Sequence, residues 1–321
     1  MPVSKEMVNN EYLSRLNRTI DYIQQHSHED LSLDILAEVA CFSKYHFHRI
    51  FKAVLGETVN EFVFRIRLEK AWSQLMLHKF KPITDIALDT GFSSSQNFAR
   101  SFKAQYGITP SQARTEYNYD SWLKRLQESD GTDSVTIHPD AIEPIEQYSQ
   151  KLKQSLEKRL AASPEIQFRI ETFPPYRVAY IRSWGPYNVE VGRDAFNRLL
   201  QWAEPRGYVN DDAIVVGVAW NSPYNTPPEK LIYDACITVP ASTVADRWVN
   251  IQTLQGGDFA IHHCDIDIHR QEEEWMRFLL YGLAKSDYQP DDRPAHSIYS
   301  TESTPERVIA DLCLPIKPLM Q

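Results

Sequence analysis

LAEVACFSKYHFHRIFK, residues 36–52, and IALDTGFSSSQNFARSFK, residues 86–103, are one motif written twice. Ala37, Phe42, Phe47, Arg49, Phe51, Lys52 and Gly56 align with Ala87, Phe92, Phe98, Arg100, Phe102, Lys103 and Gly107, with one residue inserted after the turn. Each copy reads as a short apolar helix, a tight turn and a second helix with a basic face. In residues 44–55, Phe47, Ile50, Phe51 and Val54 recur at i, i+3, i+4 and i+7 and are expected to face a core. Tyr45, His48, Arg49 and Lys52 fall on the opposite stripe. In the second copy Phe98 and Phe102 anchor the buried side, while Gln96, Ala99, Arg100 and Lys103 point outward. A repeated helix-turn-helix on one chain can address successive major-groove faces of DNA without a dimer.

The outward residue types suit that task. Arginine grips guanine with two parallel hydrogen bonds, glutamine pairs with adenine, and tyrosine meets a thymine methyl group or stacks. Lys52 and Lys103 lie further along their helices and suit phosphate, which sets register without reading sequence. Lys44, at the start of the first reading helix, and Ser94 and Ser95, at the start of the second, complete the candidate DNA-binding set of Lys44, Tyr45, His48, Arg49, Lys52, Ser94, Ser95, Gln96, Arg100 and Lys103.

Net charge argues against a nucleic-acid binder until it is divided. The 321 residues carry a formal charge of −9, yet residues 41–114 hold 11 Lys plus Arg against 5 Asp plus Glu. Residues 116–321 hold 20 basic against 31 acidic residues, so the acidic half is expected to face away from a duplex. No apolar run approaches the roughly 20 residues that span a bilayer, and the polar start is not a secretory signal. Four scattered cysteines, none in a CxxC pair, read as reduced thiols in a cytoplasmic protein.

Along the chain, residues 12–23 place Leu13, Leu16, Ile20 and Ile23 on one helical face. Ser43 is an N-cap and Gly56 a stop for the first reading helix. A long helix over 60–79 carries Phe64, Leu68, Ala71 and Leu75 on one stripe. Pro82 opens the second unit and Gly91 closes its first helix. Residues 1–115 are thus expected to form an all-α domain of two helix-turn-helix units joined by a long helix. Residues 116–165 read as a linker with a loop at 129–134 and a charged helix over 142–162. Residues 166–321 read as an α+β domain. Strands are expected at 177–182, 214–220, 233–239, 248–254, 259–263 and 308–314, and helices at 189–203 and 272–283. Pro228-Glu-Lys and Asp234-Ala-Cys recur 77 residues later as Pro305-Glu-Arg and Asp311-Leu-Cys, with Tyr299 answering to Trp220. Two strand-helix-strand-strand copies about a pseudo-two-fold axis follow from that repeat.

With those residues in view, residues 12–115 resemble the DNA-binding domain of AraC/XylS-family transcription regulators. The resemblance rests on the turns at 40–43 and 90–93, the Arg-x-Phe-Lys endings and Gly107-Ile-Thr-Pro110. It implies base contacts from Tyr45, His48 and Arg49 in one helix and Ser95, Gln96 and Arg100 in the other. RVAYIRSWGPY at 177–187 and TPPEKLIYDAC at 226–236 resemble GyrI-like effector-binding domains of the BmrR and Rob type, over nearly all of 166–317. The two-domain order is Rob-like. That resemblance implies a groove for bulky aromatic or cationic molecules between the two copies, and the C-terminal domain is rich in aromatic faces. Tyr180, Trp184, Tyr187, Trp220 and Tyr299 are the candidate ligand contacts, with Tyr224 and Tyr281 as further aromatics. The second copy lacks the Gly-Pro-Tyr corner, and Ser297 stands where related cation binders and hydrolases carry Glu.

The sequence therefore reads as a transcription regulator, an activator, that binds double-stranded DNA through two adjacent major-groove faces. Its expected partners are a small hydrophobic or aromatic effector and RNA polymerase, with no membrane. No cofactor, metal or catalytic residue is expected. His26/His28 and His46/His48 are i, i+2 pairs that do not share a helical face, and His262-His263-Cys264 has no second cluster. Two other readings stand beside this one for the C-terminal domain. It is a hydrolase of reactive xenobiotics, against which Ser297 counts, or a protein-interaction module without a ligand.

Overall fold

The computed structural model describes residues 10–78, 81–116, 166–222, 225–246, 248–283 and 286–318. The expected linker, with its loop and charged helix, and Tyr224 lie outside them, and the Tyr281 side chain is likewise not described.

The N-terminal domain is all helix: α1 (Asn10–His26), α2 (Leu33–Val39), α3 (Lys44–Leu55), α4 (Val59–Leu77), α5 (Ile83–Asp89), α6 (Ser95–Tyr106) and α7 (Pro110–Glu116). Local chemistry sets the boundaries. Ser32 Oγ accepts the Ile35 N–H at the start of α2. Thr58 and Glu61 form a reciprocal capping box at α4, each side chain accepting the other's backbone N–H. α3 and α6 both end on a left-handed glycine, Gly56 (φ 72°) and Gly107 (φ 76°), whose N–H groups bond Lys52 and Lys103 carbonyls.

The two turns also superpose in their bonding. Cys41 and Gly91 donate to the Glu38 and Leu88 carbonyls at 2.9 and 3.0 Å, and Phe42 and Phe92 to those of Ala37 and Ala87 at 3.0 and 2.9 Å. This geometry requires a left-handed residue at the same place twice. Gly91 (φ 87°) supplies it without strain, whereas Cys41 adopts it at φ 53° with a side chain. Only glycine fits at 91, because a Cβ would come within 2.8 Å of both Arg67 Nε and the Ser27 carbonyl it donates to.

α4 serves two cores. Val59, Phe62, Val63 and Ile66 pack with Leu16, Ile20, Ile23, Leu36, Phe47 and Phe51. Leu68, Ala71, Trp72 and Leu75 pack with Ile86, Phe92, Phe98 and Phe102. The expected stripe is therefore corrected at Phe64, which is 39% exposed and meets Phe92 edge-on at 5.7 Å. A helix that covers one core with its first turns and another with its last cannot hold one straight stripe. Leu13 is exposed as well, and Ile50 and Val54 are half-buried, so Phe47 and Phe51 carry the buried side of α3.

The C-terminal domain holds β1 (Arg169–Phe173), β2 (Tyr176–Trp184), α8 (Val189–Ala203), β3 (Val215–Ala219), β4 (Ile232–Thr238), β5 (Asn250–Leu254) and β6 (Gly257–Asp267). It continues with α9 (Gln271–Arg277), extended by a π-helical turn over Phe278–Gly282, then β7 (Tyr288–Pro290), β8 (His296–Tyr299) and β9 (Arg307–Pro318). The antiparallel strand order β1-β6-β9-β8-β3-β4-β2-β5 is a palindrome, with β7 paired to β9. Its halves are β2-α8-β3-β4 and β6-α9-β8-β9, the two strand-helix-strand-strand copies that the repeat predicts. They meet where β3 pairs β8, with Val215 opposite Tyr299 and Gly217 opposite Ser297. β1, β7 and β8 were not expected from the sequence; they are short, and β1 is mostly exposed.

Two-residue links join β1 to β2 and β5 to β6, although each pair sits at opposite ends of the strand order. So short a reach forces the ends of the sheet together. Gly256 marks the crossing, where a Cβ would lie 2.4 Å from the Phe173 carbonyl oxygen. α8 covers Ala179, Ile181, Ala235 and Ile237, and α9 with its π turn covers Ala260, Ala310, Leu312 and Leu314. The opposite, helix-free face carries Val178, Tyr180, Val216, Val218 and Cys236 in one half and Phe259, Ile261 and Cys313 in the other.

Two outcomes follow. Cys41→Gly relieves a left-handed side chain that is exposed and packs little, and is expected to raise stability by about 1 kcal/mol in chemical denaturation. His296 is buried against the Phe259 ring, and burial lowers its pKa from 6.5 to about 4. The unfolded chain takes up that proton first as pH falls, so stability present above pH 6.5 should drop by about 3 kcal/mol on going to pH 4. His296→Phe should flatten that limb of the pH-stability curve.

Candidate nucleic-acid interface and effector groove

α3 and α6 hold their outward side chains through buried phenylalanines on the other side. Phe47 and Phe51, and Phe98 and Phe102, are fully buried and meet edge-to-face at 5.5 and 5.4 Å. Tyr45 is 85% exposed, and Lys44, Arg49 and Lys52 are exposed beside it, with His48 half-buried. Leu33, Lys44, Tyr45, His48 and Arg49 line a shallow cavity of about 320 Å³. Lys44 Nζ is tied to Asp34 Oδ2 of α2 at 2.8 Å. On α6, Ser94 is the N-cap, accepting the Asn97 N–H, and Gln96, Arg100 and Lys103 are exposed while Ser95 is half-buried. Arg100 Nη2 donates to Asn97 Oδ1 at 3.2 Å, a contact the sequence reading did not anticipate.

Several other cations of the domain are spent internally. Arg67 donates to the Ser27 and Glu29 carbonyls, Lys70 to the Gln24 carbonyl and Ser27 Oγ, and Arg114 to the Lys81 carbonyl. Arg65 lies between Glu57 and Glu69. Arg49, Lys52, Arg100 and Lys103 thus carry outward positive charge on the two reading helices.

The candidate ligand residues divide between the faces of the sheet, because strand side chains alternate. On the helix-covered face, at the meeting of β3 and β8, Tyr299 faces Tyr233 with hydroxyls 3.3 Å apart. Gln271 Nε2 donates to Tyr299 Oη at 2.8 Å, Trp275 Nε1 donates to Ser297 Oγ at 3.2 Å, and Phe196 stands edge-on to Tyr299 at 5.2 Å. Beneath them Gly217 leaves the room, since a Cβ there would lie 2.1 Å from Tyr233 Oη. Tyr187 borders this centre, donating to the Asn221 or Ile232 carbonyl, and its ring lies 6.1 Å from Tyr233. Burial raises the Tyr187 and Tyr233 hydroxyl pKa values above the ordinary range, so both stay neutral. Phe196, Tyr233, Gln271 and Trp275 were missed in the sequence; the alternation of β4, which puts Tyr233 and Asp234 on opposite faces, was the signal available.

Tyr180, Trp184 and Trp220 are placed differently from expectation. They belong to the helix-free face and meet the N-terminal domain. Tyr180, 1% exposed, donates to Asp21 Oδ2 of α1 at 2.6 Å. Arg182 Nη2 bonds Asp21 Oδ1 at 2.8 Å and Asp234 Oδ2 at 2.7 Å, and Nε bonds Asp234 Oδ1 at 2.8 Å. Trp220 Nε1 and Gln252 Nε2 also donate to Asp234. Trp184, Trp220 and Ile232 pack on the core of the first helix-turn-helix unit.

Among the described residues no group of three or more His, Cys, Asp and Glu is arranged to hold a metal ion, and no helix is long and apolar enough to cross a membrane.

Residues 36–116 match the model of a helix-turn-helix domain, and residues 166–317 match that of the GyrI-like small molecule binding domain. The chain joins a helix-turn-helix domain to a GyrI-like small molecule binding domain. The uncharacterized HTH-type transcriptional regulator YbfP of Bacillus subtilis (strain 168) is 38% identical over 104 residues, covering 32% of this chain and 35% of that protein. The uncharacterized HTH-type transcriptional regulator SAR0107 of Staphylococcus aureus (strain MRSA252) is 42% identical over 100 residues, 31% of this chain and 13% of that one. The chain therefore spans about a third or less of the length of these relatives. A solved AraC-type transcriptional regulator from Chromobacterium violaceum is 28% identical and covers 32% of this chain and 90% of its own, with a TM-score of 0.31.

Asp234 accepts from three side chains in a fully buried site. Asp234→Ala is expected to cost about 3–5 kcal/mol in chemical denaturation, because it strips the Arg182 guanidinium of its bidentate partner.

Proposed function

We propose that this chain is a DNA-binding transcription regulator, an activator, that engages duplex DNA as a monomer. α3 and α6 enter two adjacent major-groove faces about one helical turn, ~34 Å, apart. The duplicated reading unit carries this reading: two helices with matched turns, matched left-handed C-caps and outward cations on faces otherwise held by phenylalanine. Tyr45, His48 and Arg49 read bases from α3, and Ser95, Gln96 and Arg100 from α6. Lys44, Lys52, Ser94 and Lys103 hold phosphates. The names of the relatives, HTH-type transcriptional regulators, agree with this role.

The GyrI-like domain takes a small effector at the meeting of its two copies. Tyr233, Tyr299 and Phe196 offer aromatic faces, Gln271 and the tyrosine hydroxyls offer neutral polar atoms, and Ser297 supplies no charge where a carboxylate would favour a cation. A neutral aromatic molecule fits that chemistry. Contact with RNA polymerase belongs to the activator role.

Selection of duplexes from a random pool by the full chain, followed by affinity measurements on variants, tests the assignment. Arg49→Ala or Arg100→Ala is expected to cost about 1–3 kcal/mol on the selected duplex, and each lost phosphate contact lowers the salt dependence. Unchanged affinity and salt slope in both variants would refute it.

A further inference from the structure

The helix-free face of the GyrI-like sheet is not bare. The ties from this face and from the neighbouring loops and β7 to the N-terminal domain fall in three groups, on α1, at the start of and along α4, and at its end. On α1, Asp21 takes Tyr180 and Arg182, and Asn250 Nδ2 donates to the Ser14 carbonyl at 2.9 Å. At the α3–α4 junction and along α4, Lys230 Nζ bonds Glu57 at 3.1 Å and Asn221 Nδ2 bonds Glu69 at 2.8 Å, and both carboxylates hold Arg65. At the end of α4, Gln74 donates to Asp292 at 3.4 Å, and His78 approaches Gln289 and Asp292 at 3.4 and 3.8 Å.

α4 is the element that joins the two reading units, with its first turns in one core and its last in the other. A helix gripped at its start, middle and end, with α1 pinned beside it, has little freedom to bend or to swing one core against the other. We infer that the C-terminal domain acts as a splint on the DNA-binding domain, and that Arg182, Asp234, Lys230 and Asn221 are positioning residues that fix the separation of α3 and α6. The ties are polar and directional, so they set one docked geometry where an apolar seam of the same area would tolerate sliding. None of these residues needs to touch DNA. Their effect is on how strictly the spacing between the two half-sites is enforced.

The inference rests on the DNA-binding role proposed above and is separable from it. The full chain is compared with Asp21→Asn, with Lys230→Ala and with the double variant. Asp21→Asn removes one carboxylate and leaves Arg182 bonded to Asp234, and Lys230 is partly exposed, so both single variants keep the core intact. Asp194→Asn, on the outer side of α8, is the control. The probes are duplexes selected by the wild-type chain and the same duplexes with one base pair inserted between the half-sites. Wild type should bind the lengthened duplex poorly. In the double variant the affinity ratio between the two duplexes should shrink about tenfold, with amides of α1 and α4 exchanging about tenfold faster in the free protein. An unchanged ratio with unchanged exchange in both single variants and the double variant would overturn the splint while leaving DNA binding standing. Failure of the wild type to select any duplex would remove the DNA-binding reading and the positioning role together.

Discussion

The Arg182 guanidinium has no exposed side-chain surface and lies between two carboxylates, one from its own sheet and one from the other domain. Taking three charges out of water is costly, and only good geometry with further hydrogen bonds offsets it. Here Asp234 is satisfied by Arg182, Trp220 and Gln252, and Asp21 by Arg182 and Tyr180. Burial pushes the Asp21 pKa up, and the Arg182 guanidinium beside it works in the opposite direction. If the domains separated, Arg182 would keep Asp234 but lose Asp21, and Tyr180 would lose its acceptor. The seam therefore does more than join two cores: it specifies how they meet.

Both domains are doubled units, and in each the copies differ at matched positions. In the helical domain the turns share every backbone bond, yet Gly91 fills a position that Cys41 occupies under strain. In the sheet domain β3 and β8 meet at the pseudo-two-fold, yet one side offers Gly217 and the other Ser297. That asymmetry leaves space for the paired tyrosines and no charge beneath them.

Much of the helical domain was legible because its signals are local. Phe47 and Phe51 at i, i+4, the left-handed glycines at 56 and 107, and Pro82 before α5 each act within one turn of chain. The single stripe drawn through Phe64 failed for a non-local reason: α4 divides itself between two cores. In the sheet domain the 77-residue repeat announced the two copies, but not which face of each strand met what. Tyr180, Arg182 and Trp184 alternate with Ala179, Ile181 and Ser183, and that period was readable. Nothing in the sequence said that the covering layer for the larger side chains would be α1 of the other domain. Aromatics that looked like a ligand mouth therefore proved to be part of an interdomain seam.

The alternation that misled the ligand reading also connects the two sites. Tyr233 and Asp234 are consecutive on β4, one on the helix-covered face beside Tyr299 and one at the centre of the seam. Asn221 does the same work across a loop. Its carbonyl accepts from Tyr187, its Oδ1 accepts the Ile232 N–H, and its Nδ2 reaches Glu69 of α4. A pleated strand cannot shift one residue without carrying the next, because neighbouring Cα atoms are 3.8 Å apart on a stiff backbone. A displacement of the β4 backbone at Tyr233 would therefore be felt at Asp234 and the Arg182 bridge, whereas a rotation of either tyrosine side chain would not.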